Sequence, residues 1–355
     1  SGNGIPDLID EARNEVDMFL SLRDGEAYSH GLTNPSRDRT MMFQAGPTTM
    51  AAWANAANCA MLSESFRISG HAELMDTYRR EAITAYRFAS SQENLQLDDI
   101  QGIGDDRMRG RDFRMMAAAY LYNVTNDVQW EDAMARDAEA RDPNQPIFNF
   151  TGWNQIWGTA AYLTSPQEIR HPALHAQMKA AVFRQAREDH TAARSWRPSR
   201  RSTGPSYWVT PHNLDLVVLA HHLSLTDEDR DYFMTALLLD ADWGLGRNPG
   251  NIVEMTGLGE RSFVNIYTSG RNDGTPGLHP GHTPYNNLNP WGTTHIGSMP
   301  HWFTERGHPA WSEGWPRQEA HFNSRYSWTN GEFTPRQTMR GKMTLYAYLH
   351  AVHSD

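Results

Sequence analysis

The sequence predicts an all-α protein of the α/α toroid type, in which antiparallel helix pairs surround a shared core. Apolar residues recur at helical spacing over the first two thirds of the 355 residues, without sustained period-two alternation, so strands should be minor. Residues 246–338 then form a long irregular region near the C-terminus, with nearly half of the 27 Gly and 19 Pro. Helix pairs followed by one elaborated loop region indicate a toroid. A helical solenoid is the alternative, although no fixed sequence period supports it.

The predicted helices follow the apolar periodicity from the N-terminus onward. The first begins near Pro6 and Asp7, which suit an opening helical turn, and runs to Leu20. Residues 51–66 are rich in Ala and apolar almost all round, which indicates an inner, buried helix. The remaining helices are predicted at residues 73–89, 113–124, 153–163, 173–187, 214–223, 227–243 and 338–352. We expect residues 1–355 to form a single domain.

Composition argues against several classes of protein. A formal net charge of −10 argues against nucleic acid as a partner, because phosphate backbones require concentrated positive charge. Cys59 is the single cysteine, so neither an intramolecular disulfide nor a cysteine-based zinc site is expected. No apolar run reaches about 18 residues, the length that would indicate a membrane span. The chain opens on residues 1–6 without an initiator Met or a signal peptide, as expected of a mature or clipped product.

Glu332 is the most suggestive carboxylate of the irregular region. It lies in residues 326–335, among aromatic residues and few charges. An apolar setting raises the pKa of a carboxyl group and keeps its proton available for general acid catalysis near neutral pH. Glycosidic bond cleavage generally needs such an acid together with a second carboxylate. From the residues alone, a solvated turn or a cap of the last helix explains Glu332 equally well.

A histidine-rich run, residues 277–285, is the second candidate. His279 and His282 are separated by Pro280 and Gly281, which a helix would not accommodate, so the pair is poorly placed to ligate a metal. Hydrogen bonding to sugar hydroxyls is favoured, and a merely structural loop is the next alternative.

Three further features give weaker indications. Residues 105–112 alternate Asp with Arg, which is typical of a solvated or salt-bridged patch. Residues 194–201 hold four Arg and precede Trp208, and they form either one end of a cleft or a plain surface loop. The Gly-x-Gly of residues 257–259 follows no convincing strand and is too weak to indicate a phosphate loop. The 12 Trp suit stacking on sugar rings, or equally an aromatic-rich core.

Four segments along the chain carry a resemblance to a known enzyme family. Residues 1–12 are similar to a strongly characteristic family segment, and residues 245–249 look like the family's leucine-glycine-x-asparagine-proline turn. Residues 279–285 fall where the family carries a histidine-rich substrate-binding motif. Residues 328–334 fall on the family's second signature, whose glutamate, Glu332 here, is the proton donor. Taken together, these segments resemble glycoside hydrolase family 9, which contains cellulases.

The resemblance implies an (α/α)6 barrel, incomplete at the N-terminus, that hydrolyses β-1,4-linked glucan with inversion. Glu332 would be the general acid, and His282, with His279, would contact the sugar near the scissile bond. The aromatic residues expected to bind sugar rings are Tyr285, Trp291, Trp328 and Trp208. No cofactor or catalytic metal is expected. A structural Ca²⁺ is possible, because some family members carry one, but no loop of this sequence matches a calcium-binding repeat. By family analogy, the protein is secreted or periplasmic and acts on a polysaccharide or oligosaccharide.

The chain departs from the family pattern in three places. In the family, an aspartate-alanine-glycine-aspartate motif supplies the catalytic base upstream of the segment that opens this chain, so a missing or separate N-terminal segment is expected to carry it. Asn323 and Thr338 replace an aspartate and an asparagine of the second signature, and Pro284 replaces an arginine of the histidine motif. These changes leave open another β-glycan substrate or an exo-β-glucosaminidase. A polysaccharide lyase and a non-catalytic glycan-binding or structural subunit are further alternatives.

Overall fold

A computed structural model describes residues 2–33, 41–103, 106–142, 144–149, 152–190, 211–248, 251–264, 280–283 and 340–354. The helices are α1 (Asp7–Ser21), α2 (Thr49–Ile68), α3 (Ala72–Ser91), α4 (Gly110–Thr125), α5 (Val128–Asp137), α6 (Ile156–Leu163), α7 (Pro172–His190), α8 (Pro211–His222), α9 (Asp227–Gly244) and α10 (Arg340–His353), with a 3₁₀ turn at Glu139–Arg141. Short antiparallel hairpins pair β1 (Leu32–Thr33) with β2 (Phe43–Gln44), β3 (Ile100–Ile103) with β4 (Asp106–Arg109), and β5 (Phe148–Asn149) with β6 (Trp153–Asn154). Strands are therefore minor in the described part of the chain, as the sequence predicts.

One helix was absent from the sequence prediction, and another begins later than predicted because a strand precedes it. Helix α5 was not predicted, and it begins at the N-cap Asp127, whose side chain accepts a hydrogen bond from the Gln129 N–H at 3.1 Å. Helix α6 begins three residues later than predicted, because Trp153 and Asn154 pair with β5 as a strand before the helix starts at Ile156.

The chain divides into two compact units, residues 1–181 and 182–355, with the boundary inside α7. The first unit is built around α2, whose N-cap Thr48 accepts a hydrogen bond from the Ala51 N–H at 3.0 Å. Residues along most of α2 are buried against α3 and α4, which confirms the prediction of an inner helix from its apolar surface.

Aromatic and sulfur side chains fill the interior of the first unit. The indole Nε1–H of the buried Trp53 donates to the Leu95 carbonyl at 2.9 Å, and the ring lies edge-on to Tyr86 with centroids 5.0 Å apart. The guanidinium of Arg114 lies 5.7 Å from the Trp53 ring centroid. Cys59, which lies in α2 between Trp53 and the C-terminal end of the helix, is fully buried, and this burial raises the pKa of its thiol.

The second unit contains a core between α8, α9 and α10. Phe233 of α9 and Leu345 of α10 are buried, and Phe183 of α7 lies edge-on to Phe233 with ring centroids 5.5 Å apart. His221 at the end of α8 is hydrogen-bonded through Nδ1 to the Tyr348 hydroxyl of α10 at 2.6 Å. This polar contact ties the last described helix to α8 in the interior of the unit.

Helix α1 differs from its neighbours because none of its residues is buried. Its periodic apolar side chains remain partly or largely exposed, including Leu8 at 61% and Met18 at 43%. An amphipathic helix of this kind normally places its apolar stripe against other elements of a core. Separately, within the part of the chain that the structure describes, no helix has the length and apolar character needed to cross a membrane.

Candidate active site

The predicted leucine-glycine-x-asparagine-proline turn ends helix α9 and begins the irregular region. Gly246 adopts φ +110°, a conformation that favours glycine, directly after the helix. The Asn248 side-chain amide donates to the carbonyls of Trp243 at 2.8 Å and Ile252 at 2.7 Å, and its oxygen accepts from the Ile252 N–H at 3.2 Å. Asn248 therefore closes the loop by satisfying backbone groups on both sides of it.

The segment after this turn is anchored by backbone hydrogen bonds. The Val253 N–H donates to the Arg261 carbonyl at 2.7 Å, and the Glu254 N–H donates to the Gly244 carbonyl at the end of α9 at 2.9 Å. Phe263 donates back to the Val253 carbonyl at 3.3 Å and is buried at 1% exposure. The segment that leads to Thr256 is thus fixed to the scaffold of the second unit.

Thr256 joins this segment to the histidine-rich run through three hydrogen bonds. Its N–H donates to the His282 carbonyl at 2.8 Å, and its carbonyl accepts from the Gly281 N–H at 2.8 Å. Its hydroxyl oxygen accepts from the His282 N–H at 2.9 Å. Thr256 and Thr283 are both fully buried, whereas His282 is partly exposed. We name Thr256, Gly281 and His282 the threonine clasp.

Gly257 brings the two segments closer than any other residue would allow. It adopts φ +73°, and a Cβ at this position would lie 2.8 Å from Pro280 Cβ and 3.2 Å from Pro280 Cα. Real Cβ atoms do not approach other carbons at the shorter of these distances, so glycine is required by both conformation and space. The Gly-x-Gly that is too weak to indicate a phosphate loop thus has a packing role at its first glycine.

Among the predicted site residues, His282 lies within the described part of the chain. Those that lie outside the described residues are Glu332, His279, Tyr285, Trp291, Trp328 and Trp208, together with the departures Pro284, Asn323 and Thr338 and the arginine cluster of residues 194–201. The described geometry therefore covers one predicted site residue, His282, and its hydrogen bonds within the threonine clasp.

The alternating Asp and Arg run of residues 105–112 is salt-bridged, not solvated, at its described end. Asp112 is buried, is paired with Arg109 at 2.9 Å, and accepts from the Gln155 side-chain amide at 2.9 Å. Burial raises the pKa of Asp112, and the hydrogen bond and charge of Arg109 oppose that rise. Arg109 also contacts Glu139 at 2.7 Å. These contacts fix the start of α4 in the first unit.

Arg114 and Asp137 form a second buried pair in the same unit. The guanidinium donates through two nitrogens to both carboxylate oxygens, at 2.7 and 2.6 Å. The Asp137 side chain has no exposed area, and that of Arg114 is 11% exposed. Bidentate geometry of this kind compensates the desolvation of both charges. The pair joins α4 to α5.

The comparison with known families identifies the chain. The sequence model described as "Glycosyl hydrolase family 9" matches residues 2–329. The chain belongs to this family. The prediction made from the four sequence segments is thereby confirmed.

The individual relatives of this family 9 chain share between 18% and 29% sequence identity with it. Endoglucanase C of Cellulomonas fimi is 29% identical over 295 residues, which are 73% of this chain and 25% of that protein. A metagenome-derived family 9 endoglucanase of known structure has a TM-score of 0.67 at 23% identity, covering 99% of this chain and 62% of the other. The family 9 protein of Bacteroides ovatus has a TM-score of 0.72 at 18% identity, covering 99% and 64%.

These likenesses confirm the predicted fold class, an all-α fold of the (α/α)6-barrel type. The chain spans a quarter of endoglucanase C and less than two thirds of each of the two solved structures. A share of every one of these relatives therefore has no counterpart in this chain.

Metal binding has no support within the described residues. There, no three His, Cys, Asp or Glu side chains are grouped closely enough to hold an ion. The expected structural Ca²⁺ remains a prediction from the family resemblance.

The sequence analysis did not identify Thr256 and Gly257, which contact the histidine-rich run of the candidate site. The Thr256 hydroxyl contacts His282, and the missing Cβ of Gly257 leaves room for Pro280. Both partners lie more than 20 positions away in sequence, so the periodicity of the sequence does not indicate these contacts. The available signal was the polar Thr directly before a Gly-x-Gly, a pattern suited to a tight backbone approach.

Proposed function

We propose that this chain forms the larger part of a catalytic domain that hydrolyses β-1,4-linked glucan with inversion of configuration. The observation that carries the proposal is His282, a partly exposed residue whose backbone is hydrogen-bonded to the fully buried Thr256. A side chain presented from rigid backbone suits hydrogen bonding to substrate hydroxyls, because little conformational freedom is lost on binding. Family membership and the likeness to endoglucanase C support cellulose-type glucan as the substrate.

In the proposed reaction, Glu332 transfers its proton to the glycosidic oxygen as the bond from that oxygen to the anomeric carbon breaks. Water attacks the anomeric carbon from the opposite face and gives its proton to an aspartate base. For inversion, the two carboxyl groups lie roughly 6.5–9.5 Å apart, which leaves room for the water. His282 and His279 hold the sugar hydroxyls. Rings that would stack on the flanking sugars are those of Tyr285, Trp291, Trp328 and Trp208.

The base aspartate is proposed to lie on a separate or additional N-terminal segment. The solved relatives contain a part that has no counterpart here, since the chain covers 62% and 64% of them. Helix α1 supports this proposal, because all of its residues, Leu8 and Met18 among them, retain exposed surface. A segment that packs on this apolar surface would complete the first unit and bring in the base.

The reaction requires no cofactor, and a structural Ca²⁺ would act on stability alone. The proposed substrate includes polymers too large to cross a membrane, so the enzyme would act in a secreted or periplasmic location.

The test uses the protein as isolated, with every polypeptide that accompanies it, and cellohexaose as substrate. Proton NMR during the first turnovers should show the α-anomer of the new reducing end. Glu332→Gln should lower the rate by about 10²–10⁴-fold, the usual contribution of a general acid. Glu260→Gln, which changes an exposed glutamate of the same irregular region, serves as the matched control and should leave the rate unchanged. A Glu332 variant with the parent's rate would refute the proposed role of this residue.

The departures at Pro284, Asn323 and Thr338 favour a second candidate, an exo-β-glucosaminidase or another β-glycan hydrolase of the same family. Parallel incubation with cellohexaose and chitosan hexamer separates the two, because the exo-enzyme releases glucosamine monomers from the chain end. An unsaturated product that absorbs in the ultraviolet would instead indicate a lyase. Saturable binding of either oligomer without any product would indicate a glycan-binding subunit.

A further inference from the structure

We propose that Thr256 is a positioning residue for His282, and that its hydroxyl sets the direction in which the imidazole meets the sugar. The inference rests on the sugar-binding role proposed above for His282. The contact that carries it is the 2.9 Å hydrogen bond from the His282 N–H to the Thr256 hydroxyl oxygen.

The backbone part of the threonine clasp sets where the histidine-rich run lies. Two hydrogen bonds, from Thr256 N–H to the His282 carbonyl and from Gly281 N–H to the Thr256 carbonyl, hold the run beside the scaffold. Neither of them involves the His282 N–H. Any residue at position 256 except proline can form both bonds.

The peptide between Gly281 and His282 needs a further restraint. Gly281 adopts φ +90°, and among the described residues, its two chain neighbours apart, no atom lies within 4 Å of the position that a Cβ would occupy there. Glycine has the widest backbone freedom of any residue, and rotation at Gly281 would turn the peptide plane that carries the His282 N–H. That N–H is adjacent to the His282 Cα, so the orientation of the peptide governs the direction of the side chain. The Thr256 hydroxyl is the acceptor that holds it.

The chemistry of Thr256 separates this role from simple packing. Thr256 is fully buried, and valine has nearly the same shape but no oxygen. Thr256→Val thus keeps nearly the same buried volume and both backbone bonds, and removes the hydroxyl that accepts from the His282 N–H. Thr256→Ser keeps the acceptor and loses a methyl group. A packing role predicts that the serine variant is the more damaging, whereas a positioning role predicts the reverse.

The experiment measures the Kd of cellohexaose by titration calorimetry on the protein as isolated. We expect Thr256→Val to weaken binding about tenfold, and Thr256→Ser to stay within about twofold, because one buried hydrogen bond is commonly worth such a factor. Thr226→Val is the matched control. The Thr226 hydroxyl also accepts one backbone N–H, that of Asp229 at 3.2 Å, but it caps the N-terminus of α9, whereas the segment with Thr256 follows the C-terminus of that helix. Its Kd should equal that of the parent.

His282→Ala separates failure of this inference from failure of the proposed function. If His282→Ala binds cellohexaose as tightly as the parent, the sugar-binding role of His282 is wrong and the inference fails with it. If His282→Ala loses affinity while Thr256→Val does not, the inference alone is overturned. Equal losses in the valine and serine variants, or a comparable loss in Thr226→Val, also overturn it. In the His282→Ala background, Thr256→Val should cause no further loss, since coupled residues are not additive.

Discussion

Replacing Gly257 with alanine tests whether the contact between the two loop segments shapes the site. Gly257 has φ +73°, and its new Cβ would lie 2.8 Å from Pro280 Cβ. Gly259 has the same φ of +73°, but its new Cβ would meet Val253 Cγ2 at 3.5 Å, an ordinary contact distance. Replacing either glycine with alanine thus places a Cβ in the same left-handed backbone conformation, but only at Gly257 does the new Cβ clash with the histidine-rich run.

The difference in free energy of unfolding between the two variants measures the cost of the clash with Pro280. A left-handed conformation costs a non-glycine residue about 1–2 kcal/mol, and this applies to both positions. Overpacking adds about 1–3 kcal/mol at Gly257 alone. We therefore expect Gly259→Ala to lower the free energy of unfolding by about 1–2 kcal/mol, and Gly257→Ala by about 2–5 kcal/mol. Relief of the clash moves Pro280 away and carries His282 with it.

Two measurements on both variants check this reasoning. Denaturant titration gives the free energy of unfolding, and calorimetry with cellohexaose gives the Kd. Gly257→Ala should weaken binding by at least about tenfold, because displacement by about 1 Å at a binding group commonly costs that or more. Gly259→Ala should leave the Kd within about twofold of the parent, since small changes away from a site act independently of it. Equal stability losses together with equal Kd values would show that the approach of Gly257 to Pro280 has no influence on the site.

Three further substitutions test the polar contacts of the interior by denaturant titration. Tyr162→Phe should cost about 1.5–3 kcal/mol, because the Tyr162 hydroxyl donates at 2.7 Å to the carboxyl group of the fully buried Glu131. Arg114→Lys should cost about 2 kcal/mol, because lysine cannot make both bonds to the two oxygens of Asp137. Burial and nearby positive groups lower the pKa of His221 from 6.5, so its contribution to stability is present above that pH and lost as the pH falls through the lowered pKa. His221→Gln should therefore flatten the fall in stability between about pH 7 and about pH 5.

Each of these substitutions has a control or a contradicting result. For tyrosine, Tyr122→Phe removes a hydroxyl that donates to the neutral Glu168 carbonyl, so it should cost less than Tyr162→Phe. For arginine, Arg80→Lys alters an exposed pair with Asp76 and should be nearly neutral. For histidine, an unchanged slope of stability against pH in the glutamine variant would show that His221 does not titrate differently in the folded and unfolded states.

Helix content was predictable from the sequence where burial is uniform along an element. Helix α2 is apolar on most of its surface, so the sequence pattern and the structure agree on its place in the core. Helix α5 was missed because it is short and rich in charge, although Asp127 supplies an N-cap signal directly before it. The start of α6 was displaced because the pairing of Trp153 with Asn149 depends on a partner strand, which local propensity does not encode.

For the candidate site, the sequence indicates residue types but not their geometry, and the site residues stay a prediction. Proline, glycine and histidine in residues 277–285 indicated a functional loop, and the resemblance selected His282. Its hydrogen bonds to Thr256 cross from one irregular segment to another, where no repeating period relates the partners. Loops of this kind are defined by specific backbone bonds, and those are visible only once the chain is folded.

Cys59 makes this protein well suited to chemical labelling. It is the chain's single cysteine, it is fully buried in α2, and burial keeps its thiol protonated at neutral pH. Maleimides react with exposed thiolates, so the native thiol should remain inert while a cysteine introduced at an exposed position reacts alone. A fluorophore attached in this way to a cysteine that replaces Leu258, on the exposed turn beside the threonine clasp, would report movement of the loop as sugar binds, and Cys59 would not have to be replaced first.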